Sequence, residues 1–160
     1  MPLTCALGYF ELGLYEDCLA ELESAGPVTS EMTDLRVMAL LQLERWDEAA
    51  LLSLPMLEKE PTSPGWWIHA AYAVRRSNSI TEAEILLKHG LKLHPNHPLI
   101  QYNLACYACV QGRPEDAKPL LTRALLSRPG PTLAMALLDP DLSDLHPWIL
   151  QQSTRPPSPR

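Results

Sequence analysis

The 160-residue chain lacks the features that would place it in several large classes at once. It has no basic block, and 13 Lys and Arg stand against 19 Asp and Glu for a net charge of −6. Nucleic-acid binding needs an excess of cations to neutralise phosphates, so that partner is not expected. No apolar run approaches the 18 or more residues of a membrane span. The opening MPLTCALGYFELG has no positively charged segment, and Glu11 interrupts its apolar stretch, so it does not read as a signal peptide. Four cysteines are too few for a disulfide framework, which points to reduced thiols and a cytoplasmic setting. There is no Gly-rich phosphate loop and no G-x-S-x-G nucleophile motif. No catalytic residue, cofactor or metal site is therefore expected.

What the chain does contain is a period of 34. Ala49, Ala83 and Ala117 fall in one column, as do Leu52, Leu86 and Leu120, and Leu57, Leu91 and Leu125. Pro61, Pro95 and Pro129 close each unit, and Glu48, Glu82 and Asp116 precede the alanines. Each unit reads as two helices. Trp67, Ala70, Ala71 and Val74 lie at i, i+3, i+4 and i+7, one helical face. The polar stretch RSNSITEAE makes a turn, with Thr81 and Glu84 as a capping box. In the next unit Leu104, Ala105 and Ala108 give the first helix its core face, Gly112 turns the chain, and Pro114 suits the first turn of the second helix. Pro55 and Pro119 fall inside second helices, where a kink or a missing hydrogen bond is expected.

This pattern resembles the tetratricopeptide repeat, over units 30–63, 64–97 and 98–131. An additional unit at about 2–25 uses Leu3, Ala6, Leu7 and Phe10 as its stripe, Gly13 as its turn and Cys18 in place of the alanine. In unit 30–63, Thr33 and Arg36 occupy core positions, which predicts a helix rotated to use Leu35, Met38 and Leu41. GWWIHAAYAV, YNLACYACVQGRPEDA and ALLDPDLSDL are similar to small bacterial tetratricopeptide proteins that end in a DPDL segment. The expected fold is all-α: a right-handed superhelical solenoid of antiparallel helix pairs, with three to four repeats and a C-terminal cap. The whole would form one domain over 1–150. Leu137, Leu138, Leu142, Leu145 and Trp148 would supply the cap over 132–150. Residues 151–160, QQSTRPPSPR, read as a disordered tail.

The resemblance implies a groove lined by the first helices. Its lining would include Met38, Leu41, Gln42, Ile68, His69, Tyr72, Arg75, Arg76, Tyr102, Asn103, Cys106 and Cys109. Asn103 stands where some family members hold a peptide backbone or carboxylate. Ile68 and Tyr72, however, replace the lysine and asparagine of the family's carboxylate clamp. A non-enzymatic scaffold binding a protein or peptide in that groove is the first reading, with a chaperone-like role as one version. The alternative is a thiol-based redox or metal-responsive protein using the C-x-x-C pair Cys106 and Cys109, which lies mid-helix. Zinc there would need two further ligands, and His69, one helix away in the repeat register, is the only nearby candidate. His94 and His97 read as an exposed loop between units. Trp66 and Trp67 both read as core.

The alanine column carries a stability prediction. Replacing Ala83 with Leu overpacks a tight helix crossing and is expected to cost about 1–3 kcal/mol. Chemical denaturation checks this, and an unchanged midpoint refutes the register.

Overall fold

In the computed structural model, residues 1–154 are described, and every regular element among them is helical. The chain divides into two compact units, Met1–Leu86 and Leu87–Arg160.

In the first unit α1 (Pro2–Glu11) pairs with α2 (Tyr15–Ser24). α3 (Ser30–Gln42) packs on α2 and on α4 (Trp46–Ser53). α5 (Met56–Lys59) follows, and α6 (Pro64–Ser77) packs on α4, α5 and α3. The gap between α4 and α5 lies at Leu54 and Pro55, so the proline expected to kink a helix divides it into two. α7 (Ile80–Leu93) begins in this unit. Its cap is Ser79, not Thr81. The Ser79 hydroxyl accepts from the backbone N–H of Thr81 at 3.2 Å and of Glu82 at 3.4 Å. The expected capping box was thus two residues late, because the S-x-x-E at 79–82 precedes the T-x-x-E at 81–84.

In the second unit α8 (Pro98–Val110) pairs with α9 (Pro114–Ser127). Pro119 lies inside α9 without ending it. Having no N–H, it gives the carbonyl of Glu115 no helical bond. α10 (Pro129–Leu138) packs on α9; a 3-10 helix (Pro140–Leu145) packs on α8; and α11 (His146–Ser153) packs on both α10 and the 3-10 helix. α11 runs three residues into the segment expected to be disordered, and 155–160 lie outside the described residues.

The turns within helix pairs share one closing bond. Leu14, Arg45, Ser79 and Arg113 each donate their N–H to the carbonyl five residues back, on Tyr9, Leu40, Val74 and Ala108, at 2.9–3.1 Å. This is the outer bond of a Schellman ending. The residue just before the donor is left-handed in three of the four turns, and in two of them it is a glycine, Gly13 (φ +74°) and Gly112 (φ +73°). In the α3–α4 turn the same place is held by Glu44 at φ +58°, a conformation that side chains disfavour. The α6–α7 turn keeps the bond with Asn78 at φ −134°.

The core follows the alanine column, whereas of the leucine columns only Leu57 is buried and Leu52, Leu86, Leu91, Leu120 and Leu125 are half-buried. Ala49, Ala83 and Ala117 are wholly buried, as are Cys18 and Ala6. Leu3 and Leu7, expected in the stripe of α1, are exposed instead, and Phe10 is half-buried with its ring edge-on to Tyr15 at 5.3 Å. α3 buries Met32, Leu35, Val37, Ala39 and Leu40, leaving Met38 and Leu41 half-exposed. In the cap Leu142 and Leu145 are buried as expected, Leu138 is exposed, and Ile149 and Ala136 fill the interior with them.

Trp66 and Trp67 are both buried. The Trp67 Nε1–H donates to the carbonyl of Pro61 at 2.9 Å. Thirty-four residues on, Gln101 Nε2 donates to the carbonyl of Pro95 at 2.7 Å. The same acceptor in each repeat thus takes an indole in one and an amide in the other, which accounts for a buried glutamine in a core column.

Glu44→Gly removes the side chain from its left-handed position and is expected to stabilise the first unit by about 0.5–1 kcal/mol. A denaturation midpoint that does not rise contradicts this.

Candidate functional site

The residues expected to line one groove fall into two sets, one in each compact unit.

The first set is on α3, α4 and α6. His69 Nε2 lies 3.1 Å from Asp34 Oδ1, joining α6 to α3. One helical turn further along α6, Tyr72 meets Trp46 edge-on, with ring centroids 5.8 Å apart and planes at 76°. The Arg76 guanidinium lies over the Trp46 ring, 4.9 Å from its centroid. Tyr72 is 38% exposed and Arg76 is exposed, whereas Trp46 is half-buried between them. Arg75, Met38 and Leu41 are half-exposed, and Ile68 likewise. Behind this face, Glu60 accepts from the Ser30 hydroxyl and from the Trp66 Nε1–H at 3.0 Å. Those two hydrogen bonds hold its carboxyl below the usual range. Trp46 was not anticipated from sequence. Its signal was positional: it is the first residue of α4, the helix that α6 packs on.

The second set is buried and does not line an open face. Tyr102, Cys106 and Cys109 are 3%, 3% and 6% exposed. The 3-10 helix of the DPDL segment lies against α8 and supplies the cover. Asp139 is the centre of the contact. Its Oδ2 accepts from the Tyr102 hydroxyl at 2.7 Å and from the Cys106 thiol at 3.5 Å. Its Oδ1 accepts from the Asp141 N–H at 3.0 Å, capping the 3-10 helix. Its backbone carbonyl lies 3.1 Å from His146 Nε2. Asn103, on the same helix, is half-buried.

The chemistry of the two thiols follows from this cover. Burial pushes Cys109 up to about 11, with the carboxylates of Asp144 and Asp141 adding to it. Burial and the Asp139 hydrogen bond push the Tyr102 hydroxyl well above its ordinary value. The charges acting on Cys109 are acidic, whereas an activated thiol gains from a cation. Cys106 and Cys109 are free thiols here, as are exposed Cys5 and buried Cys18. Cys106 Sγ and carboxylate oxygens of Asp139 and Asp141 lie within 4.8 Å of one another, a set that can hold a metal ion. In that set the neighbours of Cys106 are two aspartates of the cap.

His97, expected in an exposed loop, is half-buried, and its Nδ1 is enclosed without a hydrogen-bond partner among the described residues. Burial lowers its basicity, and the charge of His94 lowers it further. His94 is half-buried too.

The fold is that of tetratricopeptide-repeat proteins. A thermophilic protein of this kind from Thermus thermophilus aligns over 94% of this chain and 97% of its own, with a TM-score of 0.68 at 19% identity. YrrB, described as a TPR protein with an unusual peptide-binding site, aligns over 94% of this chain and 71% of its own (TM-score 0.65, 15% identity). MamA from Desulfovibrio magneticus RS-1 aligns over 81% and 76% (TM-score 0.72, 11% identity). No protein-family model and no curated protein matches the chain. Among the described residues no helix is long and apolar enough to cross a membrane.

The raised thiol gives a pH prediction. A thiol whose folded value lies above its unfolded one favours the fold while protonated. Its contribution is complete below the ordinary value of 9.0 and is lost as pH rises through about 11. Stability is expected to fall across that window, and less so in Cys109→Ala relative to its own value at neutral pH. With iodoacetamide at pH 8, Cys5 is expected to react first and Cys109 only on unfolding. Rapid alkylation of Cys109 in the folded protein contradicts the assignment.

Proposed function

We propose that the chain is a non-enzymatic scaffold that holds a protein or peptide segment, and that the Trp46–Tyr72–Arg76 cluster of the first unit is the centre of the docking face. The observation that carries the reading is the composition of that cluster. Tryptophan, tyrosine and arginine dominate binding hot spots because each offers large contact area with a polar handle, the two aromatics at low entropic cost. Here the three support one another, with Tyr72 and Arg76 reaching solvent. Met38, Leu41 and His69 extend the face, and Arg75 flanks it. Tetratricopeptide folds with a described peptide-binding site, such as that of YrrB, are in keeping with this reading. A chaperone-like role is one form of it. The acidic net charge of −6 favours a protein over a nucleic acid as the partner.

A metal-responsive role is the second reading, supported by one observation, the proximity of Cys106, Asp139 and Asp141. Against it, both Asp139 oxygens already accept hydrogen bonds that fasten the cap. The redox form has less support, since Cys109 is buried and raised.

Affinity capture from a cell extract, comparing wild type with Tyr72→Ala and Arg76→Ala, tests the first reading. Both positions reach solvent, so the variants are expected to fold and to lose at least about tenfold in partner recovery, as hot-spot truncation does. Identical recovery with all three proteins refutes it. A stoichiometric zinc content that falls in Cys106→Ser would favour the second reading.

A further inference from the structure

Resting on that docking reading, we infer that Arg76 is a carboxylate receptor: the segment held on this face carries a Glu or Asp side chain flanked by apolar residues. The guanidinium has two distinct surfaces. Its flat face lies over the Trp46 indole, 4.9 Å from the ring centroid. Its edge carries five N–H donors in a planar fork, whose natural complement is a carboxylate bound through both oxygens. Among the described residues Arg76 has no acidic partner, while Arg45 holds Glu48 at 2.7 Å and Arg113 holds Asp116 at 3.0 Å. In a chain with six more acidic than basic residues, an arginine that is positioned by an indole and left without a carboxylate is a fork held open.

The flanking apolar residues follow from Tyr72. Its ring is exposed to 38% and stands edge-on to the same indole, so apolar ring surface adjoins the fork. A carboxylate with an aliphatic neighbour satisfies both. The net charge of −6 opposes an acidic segment only at long range. Exposed charges beyond about 8 Å are screened at physiological salt, so the local fork decides the contact. The receptor differs from the repeat family's carboxylate clamp, whose two positions are Ile68 and Tyr72 here.

The test uses the full chain and two probes, Ac-Leu-Glu-Leu-NH2 and Ac-Leu-Gln-Leu-NH2, followed through the Arg76 Nε–H and Trp46 Nε1–H resonances. The Glu probe is expected to shift both signals saturably below about 10 mM. The Gln probe is expected to bind at least about fivefold more weakly, since it lacks the charge that strengthens such bonds. Arg76→Lys keeps the charge on an exposed position but removes the planar fork, and it is expected to weaken the Glu probe by about fivefold or more. Equal responses to the two probes, no saturable shift at Arg76, or an Arg76→Lys variant that binds the Glu probe unchanged would each overturn the inference. If the Arg76 signals stay silent while partner capture still depends on Tyr72, the docking face stands and the carboxylate receptor falls. If capture is indifferent to Tyr72 and Arg76, the docking face itself falls.

Discussion

Four helix-to-helix turns among the described residues reverse the chain's direction within a few residues. The reversal is achieved by one hydrogen bond, from the residue after the turn to the carbonyl five positions back, repeated at Leu14, Arg45, Ser79 and Arg113. That bond fixes where the second helix starts relative to the first, and so which of its residues face inward. The buried alanines at 49 and 117 each lie four residues beyond the donor, as does Cys18 beyond Leu14 and Ala83 beyond Ser79. A side chain that must sit against a neighbouring helix is therefore placed by a backbone bond in the preceding turn. The cost is visible at Glu44, which occupies a glycine's conformation so that the bond can form.

Much of this was legible in the sequence, because a 34-residue period writes the same constraint several times. The alanine and proline columns and the glycine at 112 follow from it, while Gly13, off the period, and the buried tryptophans follow from turn chemistry and helical stripes. The parts that were not legible depend on what lies beyond the period. Cys106 and Tyr102 sit on a helix face that repeat logic leaves open, and it is the non-repeating DPDL segment that closes over them. Leu3 and Leu7 fit a helical stripe but have too little packed against them to be buried. Trp46 escaped notice because its column holds Ile80 and Pro114 elsewhere, so nothing in the period marks it. Thr81 was mistaken for a cap because two overlapping S/T-x-x-E patterns occur, and only the turn bond at Ser79 decides between them.

The two polar centres illustrate opposite uses of a charged group. Asp139 is drawn inward and spends both carboxylate oxygens on fastening the cap to α8. Arg76 is held outward on an indole with its donors free of acidic partners among the described residues. The first arrangement explains burial without calling on chemistry. The second leaves the guanidinium edge at the surface, which is the ground for the docking role proposed above.

The matched bonds from Trp67 to Pro61 and from Gln101 to Pro95 bear on how such chains are recognised at all. An indole and a primary amide share neither size nor hydropathy, yet both deliver an N–H to a carbonyl six residues upstream. Substitution scores that reward chemical similarity count this column as a mismatch between neighbouring units. A profile that scored donor reach instead would register it as agreement, and would recover repeats that have diverged in everything except the geometry of that one contact.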